Sequence, residues 1–131
     1  RWGDKQHEMV GIIPGDCVMH TKPVGRGYAL ISESPAMPWP AAGMTETEHH
    51  VHEFHYSSLE NLPPGLTFAY TMGRGVGIDG QHDGFIYRNL LANYVHLRSV
   101  GSNRWTERFV AFVRECRDER LAATAPLPPF I

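Results

Sequence analysis

Apolar positions in the first hundred residues come in short runs, and most runs end at proline or glycine. This pattern is typical of β-strands bounded by turns. The predicted strands cover residues 8–13, 17–22, 27–32, 50–57, 66–71, 85–87 and 90–97. Residues 34–48 contain three prolines in their first seven positions and are predicted to form a loop, because proline cannot donate to a sheet ladder.

The turn sequence at residues 62–65, Leu-Pro-Pro-Gly, lies between two of these β-prone runs. It predicts a hairpin that joins residues 50–57 to residues 66–71. Five glycines between positions 73 and 84 then predict a flexible connection to the last strands. The middle of the chain is therefore expected to be rich in β-sheet.

One long helix is predicted from about residue 103 to 121, with Ser102 or Asn103 as its capping residue. Apolar residues spaced by three and four positions share one face of this helix, and we expect that face to pack on the sheet. They are Trp105, Phe109, Phe112, Val113 and Cys116. Residues 122–131 form a proline-rich tail that cannot continue the helix.

Length and charge limit the class of protein. A chain of 131 residues fits one domain, and 12 basic against 14 acidic residues leave a net charge of −2. The chain has no run of basic residues that would indicate a nucleic-acid partner, and it has no apolar stretch long enough to cross a membrane. We expect a soluble cytoplasmic protein with both cysteines, Cys17 and Cys116, reduced.

Histidines are frequent, and four of the eight lie within residues 49–55. On a strand, His50 and His52 would share one face, because successive side chains alternate. Such a pair, with His96 as a third ligand, could bind a divalent metal in a cupin-like barrel. The simpler interpretation is that these histidines are hydrogen-bonded structural groups or exposed residues.

Two motifs resemble the cobyrinic acid a,c-diamide synthase family. Residues 52–57 read His-Glu-Phe-His-Tyr-Ser and match the HEFHYS signature of that family completely. Residues 89–97 resemble the family's C-terminal run that ends Ala-Ser-Tyr-Leu-His-Leu-His, and they follow in the same order and at a similar separation. Weaker likeness at residues 8–15 and 27–28 extends the resemblance to roughly residues 6–116.

The resemblance implies an α/β fold, namely the C-terminal portion of a class I glutamine amidotransferase domain with a flavodoxin-like fold. Locally it would be β-rich, with one long C-terminal helix. Residues 1–121 would form this part of the glutaminase domain, and the part that bears the nucleophile would lie upstream. His96 matches the family's histidine, which acts as base and then as acid while a cysteine thiolate attacks the side-chain amide of glutamine.

The resemblance also implies partners outside this segment. The ammonia would pass to an N-terminal synthetase domain of the same protein, which would use ATP and magnesium to amidate carboxylates of a tetrapyrrole. The acceptor would be cobyrinic acid or, in relatives, sirohaem or nickel sirohydrochlorin. This segment itself is expected to hold no metal and no cofactor.

Two positions depart from the family pattern. Arg98 replaces the second histidine of the C-terminal motif, and Val51 replaces the glycine that usually precedes HEFHYS. Arginine cannot accept the hydrogen bond that orients an imidazole, so either Glu53 or a backbone carbonyl is predicted to orient His96 instead. His52, His55, Tyr56, Ser57 and Tyr94 are expected to lie near the site.

Neither cysteine is a suitable nucleophile. Cys116 belongs to the apolar helix face, and Cys17 follows Asp16 without a glycine-rich elbow. The chain alone is therefore predicted not to hydrolyse glutamine. A second hypothesis is a non-catalytic binding or interaction module.

Overall fold

The computed structural model describes residues 1–40, 48–101 and 103–124. These residues form eight β-strands followed by one α-helix. The strands are β1 (Asp16–Met19), β2 (Gly25–Glu33), β3 (Glu48–His55), β4 (Ser57–Glu60), β5 (Phe68–Arg74), β6 (His82–Tyr87), β7 (Leu90–Ala92) and β8 (Val95–His96), and the helix is α1 (Trp105–Thr124). The predicted β-rich middle and the single long helix are confirmed.

Two antiparallel sheets contain these strands. β1 and β4 form a two-stranded sheet, and the other six strands form a sheet in the order β7-β6-β5-β2-β3-β8. β2 is the longest strand and pairs with β3 on one side and β5 on the other. β7 and β8 are therefore the two edges of the larger sheet.

The buried face of the larger sheet follows from strict alternation along β2 and β3. Ala29 and Ile31 of β2 are buried together with Val51 of β3, which is opposite Ala29 in the register. Tyr70 of β5 and Val95 of β8 complete this part of the core. Burial of a side chain such as Ile31 or Val51 contributes about 1.5–3 kcal/mol, so this face anchors the sheet.

The predicted hairpin between residues 50–57 and 66–71 is wrong. β3 and β5 are not neighbours, because β2 lies between them and pairs with both. The apolar residues of β2 need cover on both sides, which makes it a central strand. The consecutive strands that pair are instead β2 with β3, β5 with β6 and β6 with β7.

The strand predicted at residues 8–13 does not form. Met9 and Val10 are 75% and 87% exposed, and no strand of the described residues pairs with this segment. An apolar run becomes a buried strand only when a neighbouring strand supplies its hydrogen bonds. The turn at Pro14 and Gly15 is present, and β1 begins directly after it.

The helix begins at Trp105 and ends at Thr124, a shift of two or three residues from the predicted bounds. Asn103 does not act as the predicted cap, since its side-chain oxygen accepts a hydrogen bond from Arg108. Ser102 lies outside the described residues, as does the tail from residue 125 onward. The predicted loop at 34–48 is described at its two ends only, with β3 beginning at Glu48.

The apolar helix face packs less deeply than predicted. Phe109 and Phe112 contact the ring of Trp39, with ring centroids 5.1 and 5.3 Å away, but α1 has no buried residue. A partly buried ion pair also attaches the helix to the sheet, since Arg108 donates to both carboxylate oxygens of Glu33 at the end of β2. Within the described ranges, no helix combines the length and the apolar character that crossing a membrane requires.

Candidate functional site

The HEFHYS residues lie on β3 and at the start of β4, and their side chains alternate between two faces of the sheet. His52 and Phe54 are on the exposed face, whereas Glu53 and His55 are buried. The predicted alternation along this segment is confirmed. It divides the motif into an outer part, open to solvent, and an inner part that belongs to the core.

His96 lies on the outer face, at the end of the edge strand β8. It pairs with His52 in the register, and the two ring centroids are 5.8 Å apart. The edge of the Tyr28 ring contacts His52 from the other side, at 6.2 Å. His96 and His52 are both exposed, so a group from outside this chain could reach the His96 imidazole.

Glu53 lies on the inner face, where its carboxylate receives three hydrogen bonds. The donors are the backbone amides of Val76 and Gly77, at 2.9 and 2.6 Å, and His55 Nε2 at 2.9 Å. Burial acts to raise the pKa of Glu53, but these hydrogen bonds outweigh it and hold the pKa below its ordinary value of 4.5. Glu53 is therefore a buried carboxylate.

The prediction that Glu53 orients His96 is wrong in this structure. Glu53 is opposite Val95 in the register and His52 is opposite His96, so the carboxylate and the His96 ring project from different faces. The imidazole that Glu53 does bind is that of His55. Arg98, two residues after His96, is exposed beyond the end of β8, so the residue at that position is basic and cannot accept a hydrogen bond from the imidazole.

His55, Tyr94 and Ser57 form a packed group beside Glu53. The Tyr94 ring stacks on the His55 ring, with centroids 3.8 Å apart and planes inclined by 14°. The Tyr94 hydroxyl is 2.9 Å from Ser57 Oγ, and burial raises the pKa of that phenol. These three residues were predicted to be near the site, and they adjoin the backbone of β8 rather than the His96 ring.

Tyr56 lies apart from this group. Its ring meets the edge of Phe54 on the outer surface, at a centroid distance of 5.6 Å, and it is 39% exposed. Tyr56 thus belongs to the outer part of the motif.

Asp83 is a functional candidate that the sequence pattern does not reveal. Its side chain is fully buried in β6, and its carboxylate accepts hydrogen bonds from the amides of Tyr94 and Val95 at 2.8–3.1 Å. Burial raises the pKa of Asp83 above its ordinary value of 3.8 despite these bonds. A lone aspartate in an otherwise apolar strand is the signal that could have found it, since such a group must be hydrogen-bonded.

The outer histidines do not support the metal-binding barrel. His50 and His52 are exposed on β3, and the described part of the chain holds no group of three or more histidine, cysteine, aspartate or glutamate side chains arranged for a metal ion. His49, on the inner face, bonds Glu33 at 3.1 Å. These histidines divide between exposed positions and hydrogen-bonded structural ones.

The two cysteines lie in different parts of the fold, and Cys17 lines a cavity together with Asn93 and Tyr94, the residues that precede β8. Cys17 is in the two-stranded sheet, opposite Leu59, and Cys116 is on α1, where its sulfur accepts a hydrogen bond from Asn89. Both are free thiols and partly buried.

This chain is similar to known proteins in sequence and in fold. The CobB/CobQ-like glutamine amidotransferase domain matches residues 2–104. A cobyrinate a,c-diamide synthase of Magnetococcus marinus is 41% identical over 114 residues, which cover 87% of this chain and 24% of that protein. A cobyrinate a,c-diamide synthase of Methanosphaera stadtmanae is 49% identical over 96 residues, 70% of this chain and 20% of the relative.

Among solved structures, a Thermoplasma acidophilum protein described as a GMP synthase component superposes with a TM-score of 0.56. The match covers 82% of this chain and 52% of that one at 19% identity, which shows that the two chains share a fold. Together with the amidotransferase domain matched over residues 2–104, it confirms the predicted fold class. The chain thus spans about a quarter of the curated relatives, and the matched domain covers most of its length. It belongs to the CobB/CobQ-like glutamine amidotransferase family.

Proposed function

We propose that this chain is the histidine-bearing part of the glutaminase in a cobyrinate a,c-diamide synthase-like ligase. The observation that carries the proposal is the exposed imidazole of His96 on an edge strand, within a domain of the amidotransferase family. A base that serves a thiol from another segment must be accessible from outside its own fold. His96 meets that requirement.

The proposed chemistry begins when His96 accepts the thiol proton of a cysteine outside this chain. The thiolate adds to the side-chain amide carbon of glutamine, and the imidazolium then protonates the departing nitrogen. The C–N bond breaks, ammonia leaves and a glutamyl thioester remains. Water, activated by the same imidazole, hydrolyses the thioester to glutamate and restores the thiol.

The ammonia would be used by a synthetase domain that lies outside this chain. There ATP and magnesium would activate a carboxylate of a tetrapyrrole, with cobyrinate as the acceptor by similarity to the relatives. Both cofactors are assigned to that other domain by the same similarity to the relatives. No step of the glutaminase chemistry proposed for this chain uses them.

The test compares two nitrogen donors in a protein that joins this chain to its nucleophile and synthetase parts. His96→Ala should lower glutamine-dependent amidation by about 10²- to 10⁴-fold, the usual contribution of a general acid–base group. Amidation from added ammonium salt should stay unchanged, because it bypasses the glutaminase. His50→Ala, on the exposed face of β3, is the matched control and should leave both activities intact.

Equal loss with both nitrogen donors would show that His96 is a structural residue rather than the glutaminase base. A second experiment addresses the nucleophile. The purified 131-residue chain should release no glutamate from glutamine, since Cys17 lies beside Tyr94 on the inner side, whereas the His96 ring projects from the outer face of the sheet. Measurable release that disappears in Cys17→Ala would contradict the proposal.

A further inference from the structure

The buried histidine of the HEFHYS motif has an acceptor at each ring nitrogen. His55 Nδ1 is 2.7 Å from the carbonyl oxygen of Ser57, and Nε2 is 2.9 Å from the carboxylate of Glu53. A carbonyl oxygen can only accept a hydrogen bond. Glu53 also accepts from two backbone amides, and these bonds help to hold its pKa below the ordinary value, so an ionised carboxylate faces Nε2. Both His55 nitrogens must then carry hydrogen, and the ring is a cation.

We propose that His55 is held as a buried imidazolium and that it is a positioning residue for His96. The inference rests on the proposed function for the role of His96, whereas the charge of His55 follows from its contacts alone. His55 is 9% exposed, and the carboxylate beside it is 2% exposed. A buried charge persists only when it is paired and hydrogen-bonded, and this one is both.

The link to His96 runs through Tyr94. The Tyr94 ring lies flat on the His55 ring at 3.8 Å, an arrangement in which a cation is attracted to the π-face. The Tyr94 hydroxyl bonds Ser57, so the ring is held at its far end as well. Two residues later the chain reaches His96, and the imidazolium therefore fixes where β8 starts.

Glu53 braces the same strand from β3. It is opposite Val95 in the register, directly before His96, and its carboxylate is anchored by the loop between β5 and β6. The ion pair thus connects β3, the loop between β5 and β6, and the start of β8. Together these contacts fix the position of β8. A shift of about 1 Å at a catalytic group can lower turnover by about 10²-fold.

Glu53→Gln separates charge from shape. The glutamine nitrogen can donate to Nε2 of a neutral ring, so the His55 hydrogen bond remains possible while the ring loses its charge. The same nitrogen then faces the Gly77 amide, and that one backbone hydrogen bond is lost. Nitrogen-15 NMR of the wild-type chain near neutral pH should show hydrogen on both ring nitrogens of His55. The variant should show one such hydrogen. Glu60→Gln, on the exposed end of β4, is the matched control and should show both.

In the protein that contains the nucleophile, Glu53→Gln should lower the glutaminase kcat by about tenfold or more, with KM for glutamine within about twofold of wild type. Synthesis from ammonium salt should not change. A residue that only stabilises the fold would lower the melting temperature and leave kcat of the folded enzyme as it was. Tyr94→Leu, which removes the stack, should lower kcat in the same way and serves if Glu53→Gln does not fold.

A single ring hydrogen on His55 in the folded wild type would overturn the inference, and so would wild-type kcat in both Glu53→Gln and Tyr94→Leu. Two ring hydrogens together with a fall in kcat would support it. If the wild-type form of the protein that contains the nucleophile releases no glutamate, the proposed function fails. The charge of His55 is then decided by NMR alone.

Discussion

Gly25 lies directly against the imidazole of His55, its partner in the register of β2 and β3. A Cβ at position 25 would be 2.3 Å from His55 Nε2 and 2.5 Å from the carboxylate carbon of Glu53. Non-bonded contacts this short do not occur in proteins, so any larger residue at position 25 must displace the ion pair. The absence of a side chain at Gly25 is therefore part of the inner site.

Gly25→Ala should destabilise the chain by about 1–3 kcal/mol, the usual cost of overpacking a core. Urea unfolding followed by tryptophan fluorescence would measure it. Gly73→Ala is the control, because a Cβ there would meet Leu30 at an ordinary 3.4 Å and should change stability by less than about 1 kcal/mol. Equal effects at the two glycines would mean that the space beside His55 is not critical.

Removing the Arg108 side chain should cost about 3–5 kcal/mol, because Glu33 would remain as a buried carboxylate without its main partner. The Arg108 side chain is 12% exposed and that of Glu33 is 5% exposed. Arg117→Ala breaks an exposed pair with Asp118 and should cost less than about 1 kcal/mol. Thermal unfolding of both variants provides the comparison, and a small loss in Arg108→Ala would show that the helix is held mainly by its aromatic contacts.

Asp83→Asn should destabilise the chain by about 2–3 kcal/mol. The amide nitrogen of asparagine would face the backbone donors of Tyr94 or Val95, so at least one buried hydrogen bond is lost. Asp118→Asn, on the exposed side of α1, should be nearly neutral. Amide hydrogen exchange at Val95 is the specific measurement, and it should become faster in Asp83→Asn alone.

Asp79 should make stability sensitive to acid. Burial acts to raise the pKa of this carboxyl, but hydrogen bonds from His82 and from the amides of Gln81 and His82 hold it below its ordinary value of 3.8. A lowered pKa in the folded state contributes stability above 3.8, and that contribution is lost as the pH falls through the folded value. The difference in unfolding free energy between wild type and Asp79→Asn should therefore shrink from about pH 5 to about pH 3. A difference that stays constant would show that the Asp79 carboxylate does not titrate with folding.

The sequence predicts strands well where alternation decides them, as at His50 and His52, because one face of β3 is buried and the other is not. The sequence predicts the pairing of the strands poorly. The order of strands depends on which long-range contacts bury the most apolar surface, and a local turn signal at residues 62–65 contains no information about β2.

The same reason limits the prediction of the site. Motif likeness makes His96 the candidate base, a role that stays a proposal. The prediction that Glu53 orients it rests only on the chemistry of a carboxylate beside an imidazole. Register decides otherwise, since neighbouring positions on a strand face opposite ways. The hydrogen bonds of Asp83 depend on the path of the chain from β7 to β8, because their donors are the amides of Tyr94 and Val95. No local sequence pattern predicts that path.

β7 and β8 form opposite edges of the six-stranded sheet, although only Asn93 and Tyr94 separate them in the chain. Laid flat, five interstrand gaps of about 4.8 Å each would keep the outer strands about 24 Å apart. Three peptide steps between the two strands reach about 11 Å at full extension. The sheet must therefore roll toward a cylinder, with Glu53 turned to the inside and His96 on the outer wall, and any thiol that reacts with this ring has to approach from outside the cylinder.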